Sequence, residues 1–172
     1  MALETRAPAV IDTSSLINFL RIDQVQLLSL HPALAFFVTD HVRGEVTRRY
    51  EVQFERLDSA LRAGHLAVTT VDTIEELQTF AHLTSLRRFG LGECAAIAAA
   101  LHRGWTVALD DGNAIKLVRR YYPGVPIETT SSIVVALIRA HALTVELADS
   151  FRHEWATHHR FALPFRSFAE IL

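Results

Sequence analysis

Apolar residues along this chain fall into two kinds of stretch, and their alternation is the first thing the sequence dictates. Ala9-Val10-Ile11, Leu34 to Thr39 and Thr106 to Leu109 are compact apolar runs, the pattern of strands covered on both faces. Between them apolar positions recur with helical spacing. Ser14 to Leu20 and Val25 to Leu30 predict two short helices. Asp40 predicts the N-cap of a long helix reaching about Arg62, with Val42, Val46, Tyr50, Phe54, Leu57 and Leu61 on one stripe, stopped at Gly64.

Beyond that helix, Leu66 to Val71 alternates and is β-branched, which suits an edge strand or an extended connection. A helix from about Ile74 to Arg88 follows. Phe89-Gly90-Leu91-Gly92 then breaks the pattern, and Glu93 opens a helix, Cys94 to Leu101, whose small side chains permit close approach to a sheet. After the Thr106 to Leu109 strand come Asp110-Asp111-Gly112 and a helix from Ala114 to Tyr122, ended by Pro123-Gly124. Val125 to Ile127 predicts a further short strand, and Thr129 to Ser132 supplies N-caps for an apolar helix through His141. Val145 to Trp155 is the last amphipathic helix, and Phe161 to Leu172 closes the chain.

Strands separated by helices of this length predict an α/β fold with right-handed crossovers and a mainly parallel sheet, whose ligands gather at the carboxyl ends of the strands. With 172 residues, 50% of them hydrophobic, and no repeat, low-complexity tract or Pro/Gly-rich linker, the chain suits one domain. Its expected core runs from about 9 to 140, with a helical tail over 141–172.

Every apolar run meets a charge before the roughly 18 residues that a membrane span needs. Met1 to Val10 carries Glu4, Arg6 and Pro8 where a signal peptide wants unbroken apolar sequence, so a cytoplasmic location is expected and no membrane partner. The lone Cys94, in an Ala-rich helical run, excludes an internal disulfide and reads as a core residue. A net charge of −2 argues against a binder held to nucleic acid by charge alone. Since Lys116 is the only lysine, the positive charge is nearly all arginine, which suits bidentate contact with phosphate. The nine histidines share no ligand spacing and read as structural or surface residues.

Asp12 and the Asp110-Asp111 pair each end an apolar strand, so a parallel sheet brings these distant positions to the same edge. Glu45, early in the helix after the second strand, and Glu93, in the first turn of its helix, can face that edge too. Each acid alone reads as a cap or a complement to a helix dipole. Gathered together, such carboxylates repel one another and suit a hard divalent cation, as in sites that hold ions about 4 Å apart across a phosphodiester.

The segments Val10-Ile11-Asp12-Thr13-Ser14-Ser15-Leu16-Ile17, Val42-Arg43-Gly44-Glu45-Val46, Gly90-Leu91-Gly92-Glu93 with Ala95-Ala96-Ile97, and Val107-Ala108-Leu109-Asp110-Asp111 occur in the order found in PIN domains. From Val10 to Ile138 the chain resembles that family, and in particular stand-alone prokaryotic PIN proteins related to VapC toxins. The resemblance implies a three-layer α/β/α fold and an Mg²⁺- or Mn²⁺-dependent endoribonuclease, the toxin of a toxin–antitoxin pair. It further implies that Asp12, Glu45 and Glu93 serve as catalytic and metal-holding acids. Leu109 stands where the family has Thr, which leaves Asp110 or Asp111 as the fourth acid. Thr13 or Ser14 would orient a water. The implied partners are RNA, a small antitoxin that presents an Arg to the acidic groove, and a second copy of the chain in a homodimer.

Other readings fall away on the residues. Phosphohydrolases of the haloacid-dehalogenase type need a second Asp two positions after the first, where Ser14 stands, and neither a G-x-G-x-x-G turn nor a P-loop is present. The remaining alternative is a non-catalytic PIN-like module that binds RNA or protein. The apolar face from Ile133 to Ile138 suits either the core or a homodimer seam.

Overall fold

The computed structural model describes residues 6–49 and 51–172; Met1 to Thr5, and Tyr50 of the predicted stripe, lie outside them. Five strands form one wholly parallel sheet: β1 (Ala7–Ile11), β2 (Leu34–Thr39), β3 (Ala67–Thr69), β4 (Thr106–Ala108) and β5 (Ile127–Glu128), in the spatial order β3-β2-β1-β4-β5. Strand β1 is central because it can be covered on both faces: Ala9, Val10 and Ile11 are all fully buried. Its register with β4 pairs Ile11 with Ala108, so the residues that follow, Asp12 and Leu109-Asp110, leave the sheet side by side. Strand order reverses between β1 and β4. That is the switch point at which a crevice opens beyond the strand ends.

Side chains alternate across the sheet. Ala9, Ile11, Phe36 and Val38 face one apolar cluster, Val10 and Val107 the other. The first cluster takes helices α1 (Thr13–Arg21), α2 (Asp40–Arg49), α3 (Glu51–Arg62), α7 (Thr130–Arg139) and α8 (Val145–His158). The second takes α4 (Ile74–Ser85), α5 (Leu91–Arg103) and α6 (Gly112–Tyr121). The result is the expected α/β/α stack. In α5 every residue from Cys94 to Ala100 is buried, since small side chains let the helix lie close on the sheet.

Several local expectations shift. Thr39, not Asp40, caps α2: Thr39 Oγ1 accepts the Val42 amide (3.2 Å), while Asp40 is already helical and accepts from the His41 amide (3.0 Å). The predicted long stripe is helical on both sides of Tyr50. Helix α4 ends at Ser85, before Arg88, and α5 starts at Leu91, so that Glu93 sits inside its first turn. Strand β3 is the edge strand of the two options its sequence allowed, and β5 starts two residues later than Val125. Ile133, Val134, Leu137 and Ile138 are buried in the core and do not form a seam for a second copy. The C-terminal segment packs on the core: Phe151, Trp155 and Phe168 belong to the first cluster. No helix among the described residues is long and apolar enough to cross a membrane.

Candidate acidic cleft

A cleft of about 520 Å³ opens at the switch point. Its acidic wall comes from three places: Glu45 on α2, Glu93 in the first turn of α5, and Asp110 with Asp111 after β4. Thr13, Ser14, Asn18 and Arg21 on α1 form a second side. Hence strand ends and helix starts that are far apart in sequence meet here, as the carboxyl-edge rule requires. A larger groove of about 690 Å³ runs along α7, but Glu128 is its one carboxylate.

Asp12 lies beneath this cleft, fully buried, as the N-cap of α1. Its Oδ1 accepts the Ser15 amide (2.8 Å) and its Oδ2 the Ser14 hydroxyl (2.6 Å). Burial pushes the Asp12 carboxyl up to about 7, with the Asp110 charge adding to the rise and the bonds from Ser14 and Ser15 opposing it. Glu93 is raised as well, by burial first and then by the charges of Asp111 and Glu45, while the Gly90 amide (2.9 Å to Oε2) holds it down. Two of the expected acids therefore resist ionisation in the metal-free protein.

Glu45 is gripped from two directions. The Thr13 hydroxyl donates to its Oε2, and the Gly92 amide to its Oε1 (3.2 Å). Glycine at 92 is what permits this: a Cβ there would collide with Thr13 Oγ1 and stand 2.8 Å from Glu45 Oε2. At Gly90 a Cβ would lie 3.2 Å from Glu45 Oε1 and 3.7 Å from Glu93 Oε2, so these two carboxylates converge on one point above the α5 start.

The Asp110-Asp111 pair is divided between two tasks. Asp110 is locked: Oδ1 accepts the Thr130 amide (2.9 Å), and Oδ2 accepts the Thr130 hydroxyl and Asn18 Nδ2 (3.1 Å). Asp111 is exposed and caps α6 through Oδ1 alone, which takes the amides of Asn113 and Ala114 (2.8 Å each). Asp111 thus borders the cleft with its Oδ2 outside the cap's hydrogen bonds, whereas Asp110 works as a clasp between α1 and α7.

The donor set, carboxylate oxygens only, fits a hard divalent cation in kind. As they stand, though, no three His, Cys, Asp or Glu side chains among the described residues are grouped closely enough to hold a metal ion. Hydrogen bonds draw the acids apart: Ser14 and Thr13 hold Asp12 and Glu45 toward α1, Thr130 holds Asp110 toward α7, and the α6 amides hold Asp111.

Sequence reasoning missed four contributors. Asn18 and Thr130 hold Asp110; Thr130 stood within a Thr/Ser run read wholly as caps, yet Thr129 does the capping of α7. Arg21, at the end of α1, and the His159-Arg160-Phe161 turn border the cleft with no local signal, and the turn is brought there by the packing of α8. Lys116, Arg119 and Arg120 do not border it. They are exposed on α6, where Arg120 stacks over Tyr121 (5.3 Å).

A family model described as a PIN domain (DUF3368) matches residues 8–148. No curated protein matches the chain. Among solved structures, a PilT N-terminus domain protein from the archaeon Sulfolobus solfataricus P2 is similar at 17% identity and a TM-score of 0.52, over 80% of this chain and 94% of that one. The VapBC2 structure from Rickettsia felis, bound to a DNA fragment from its promoter, is 13% identical with a TM-score of 0.49, over 71% of this chain and 98% of that one. The fold is that of the archaeal protein, and with a family model spanning most of its length, the chain belongs to the PIN-domain family.

Proposed function

We propose that this protein is a metal-dependent endoribonuclease, the toxin of a toxin–antitoxin pair. The observation that carries the reading is the convergence of carboxylates from three separate places, above the buried Asp12, on one cleft at the carboxyl edge of a parallel sheet. Two of the acids, Asp12 and Glu93, are held at raised pKa by burial first and then by the charges of neighbouring carboxylates.

Asp12, Glu45, Glu93 and Asp111 would hold Mg²⁺ or Mn²⁺, with Asp110 beside them, held by Thr130 of α7. A divalent ion held there would supply positive charge against the charge that builds on the phosphate and would make a water a better nucleophile. The chain's own residues do the rest. Ser14 and Thr13 donate to Asp12 and Glu45 and keep their carboxylates aimed; either hydroxyl can turn toward an attacking water. The Gly90 and Gly92 amides fix Glu93 and Glu45 on a rigid helix start.

RNA as substrate, a small antitoxin and a homodimeric state follow from the family resemblance and belong to the same proposal, as does a cytoplasmic place, which rests on the charged N-terminal stretch. An acidic cleft bordered by its own hydrogen-bond donors suits an antitoxin Arg, which would pair with Glu93 or Asp111 and exclude substrate. The test is RNA cleavage by wild type and Asp12→Asn, each with Mn²⁺ and with EDTA. Cleavage confined to wild type with Mn²⁺ is expected; equal activity in all four conditions refutes the nuclease.

A further inference from the structure

The cleft has a wall that the carboxylate chemistry does not use. Beyond α8 the chain turns through His159, Arg160 and Phe161, and all three border the cleft together with Glu93 and Asp111. This turn is firmly tied. The amides of His159 and Phe161 both donate to the Trp155 carbonyl (3.1 Å each), and the Phe161 ring packs edge-on against Trp155 (5.7 Å). Trp155 is itself buried and donates its indole N–H to the Asn18 carbonyl (2.8 Å), while Arg21 Nη1 donates to the His159 carbonyl (3.1 Å). The turn is therefore anchored on α1, the same helix that carries Ser14 and follows Asp12.

Arg160 sits at the centre of the turn, exposed, with a φ of 55°, in the left-handed region where a helix end favours glycine. Its guanidinium forms no ion pair among the described residues, although four carboxylates border the same cleft. A polyanion nearing that acidic wall is repelled, and a fixed, uncommitted cation beside it offsets the repulsion.

We propose that Arg160 is a substrate-binding residue that grips a backbone phosphate of single-stranded RNA beside the one presented to the carboxylates. The planar fork matches two phosphate oxygens, and its rigid turn sets the distance from the acids at which the strand is held. This inference rests on reading the cleft as a nuclease site.

The test compares Arg160→Gly and Arg160→Lys in an Asp12→Asn background that leaves RNA uncut. Binding of a fluorescein-labelled single-stranded RNA is followed by anisotropy across a salt series. Arg160→Gly is expected to weaken binding by about 10-fold and to reduce the slope of log K against log salt by about 0.7, one phosphate contact on a single strand. Arg160→Lys restores the slope and part of the affinity. Because glycine relieves the left-handed backbone, the Tm of Arg160→Gly should match or exceed that of its parent, so weakened binding is not misfolding. Unchanged affinity and slope in Arg160→Gly overturn the proposal, as does a parent that binds no RNA. If the protein with Asp12 intact cuts no RNA in Mn²⁺ while the salt slope still depends on Arg160, the phosphate grip stands and the nuclease reading falls. If it cuts and the slope ignores Arg160, the reverse holds.

Discussion

Replacing Asp12 by Asn removes a charge that folding has to bury, and the structure sets the size of the effect. Asp12 is fully buried, and in the metal-free protein its carboxyl is pushed from 3.8 to about 7. The folded chain thus holds a proton there that the unfolded chain has already lost. Stability then falls as pH rises from about 4 to about 7 and is flat outside that window. A separation of about three pKa units corresponds to about 4 kcal/mol. Asparagine has the same shape and caps a helix as well as Asp. Its carbonyl keeps the Ser15 amide, and its NH₂ meets the Ser14 hydroxyl, which turns to accept. Urea denaturation in EDTA should therefore show Asp12→Asn gaining on wild type as pH rises, by about 2 to 4 kcal/mol near pH 8. Groups shared by both proteins, Glu93 and His31 among them, cancel in the difference. Parallel stability curves for the two would refute the claim that the native fold carries Asp12 at a cost. The expected pairing of higher stability with lost cleavage also separates chemistry from folding in the activity test.

The Asp110-Asp111 pair should divide under mutation. Asp111→Asn keeps the α6 cap and its stability but loses activity, whereas Asp110→Asn sets an NH₂ against Asn18 Nδ2 or the Thr130 amide and lowers stability by about 1 to 3 kcal/mol in urea titrations. Arg103 on α5 joins buried Glu76 through Nε (2.5 Å) and Nη2 (2.9 Å) and reaches Thr69 Oγ1 (2.6 Å), so Arg103→Leu should cost about 3 to 5 kcal/mol while the folded fraction keeps its RNA affinity. His31 is held down to about 4 by burial and by the charge of Arg6. Since the unfolded imidazole takes up its proton first, stability is full above pH 6.5 and drops toward pH 4 by up to about 3 kcal/mol. His31→Asn, whose side-chain oxygen can accept the same Ala33 and Leu34 amides, should flatten that drop in acid titrations of the urea midpoint.

Sequence alone determined the parts that depend on local order. Apolar runs such as Ala9-Val10-Ile11 can only be strands covered on both faces, and helices between strands enforce parallel pairing. Acids that end such strands must then share one edge, so Asp12, Asp110 and Asp111 were bound to meet near Glu45 and Glu93. What each acid does there was decided by tertiary packing. One hydrogen-bond donor, Thr130, arrives on α7 from twenty positions away and turns Asp110 into a clasp, leaving Asp111 the freer oxygen. The wall formed by the turn after α8 is likewise invisible along the chain, because nothing adjacent to His159, Arg160 and Phe161 marks them. They reach the site only because Trp155 buries its ring against α1, and that long-range contact has no periodicity to read.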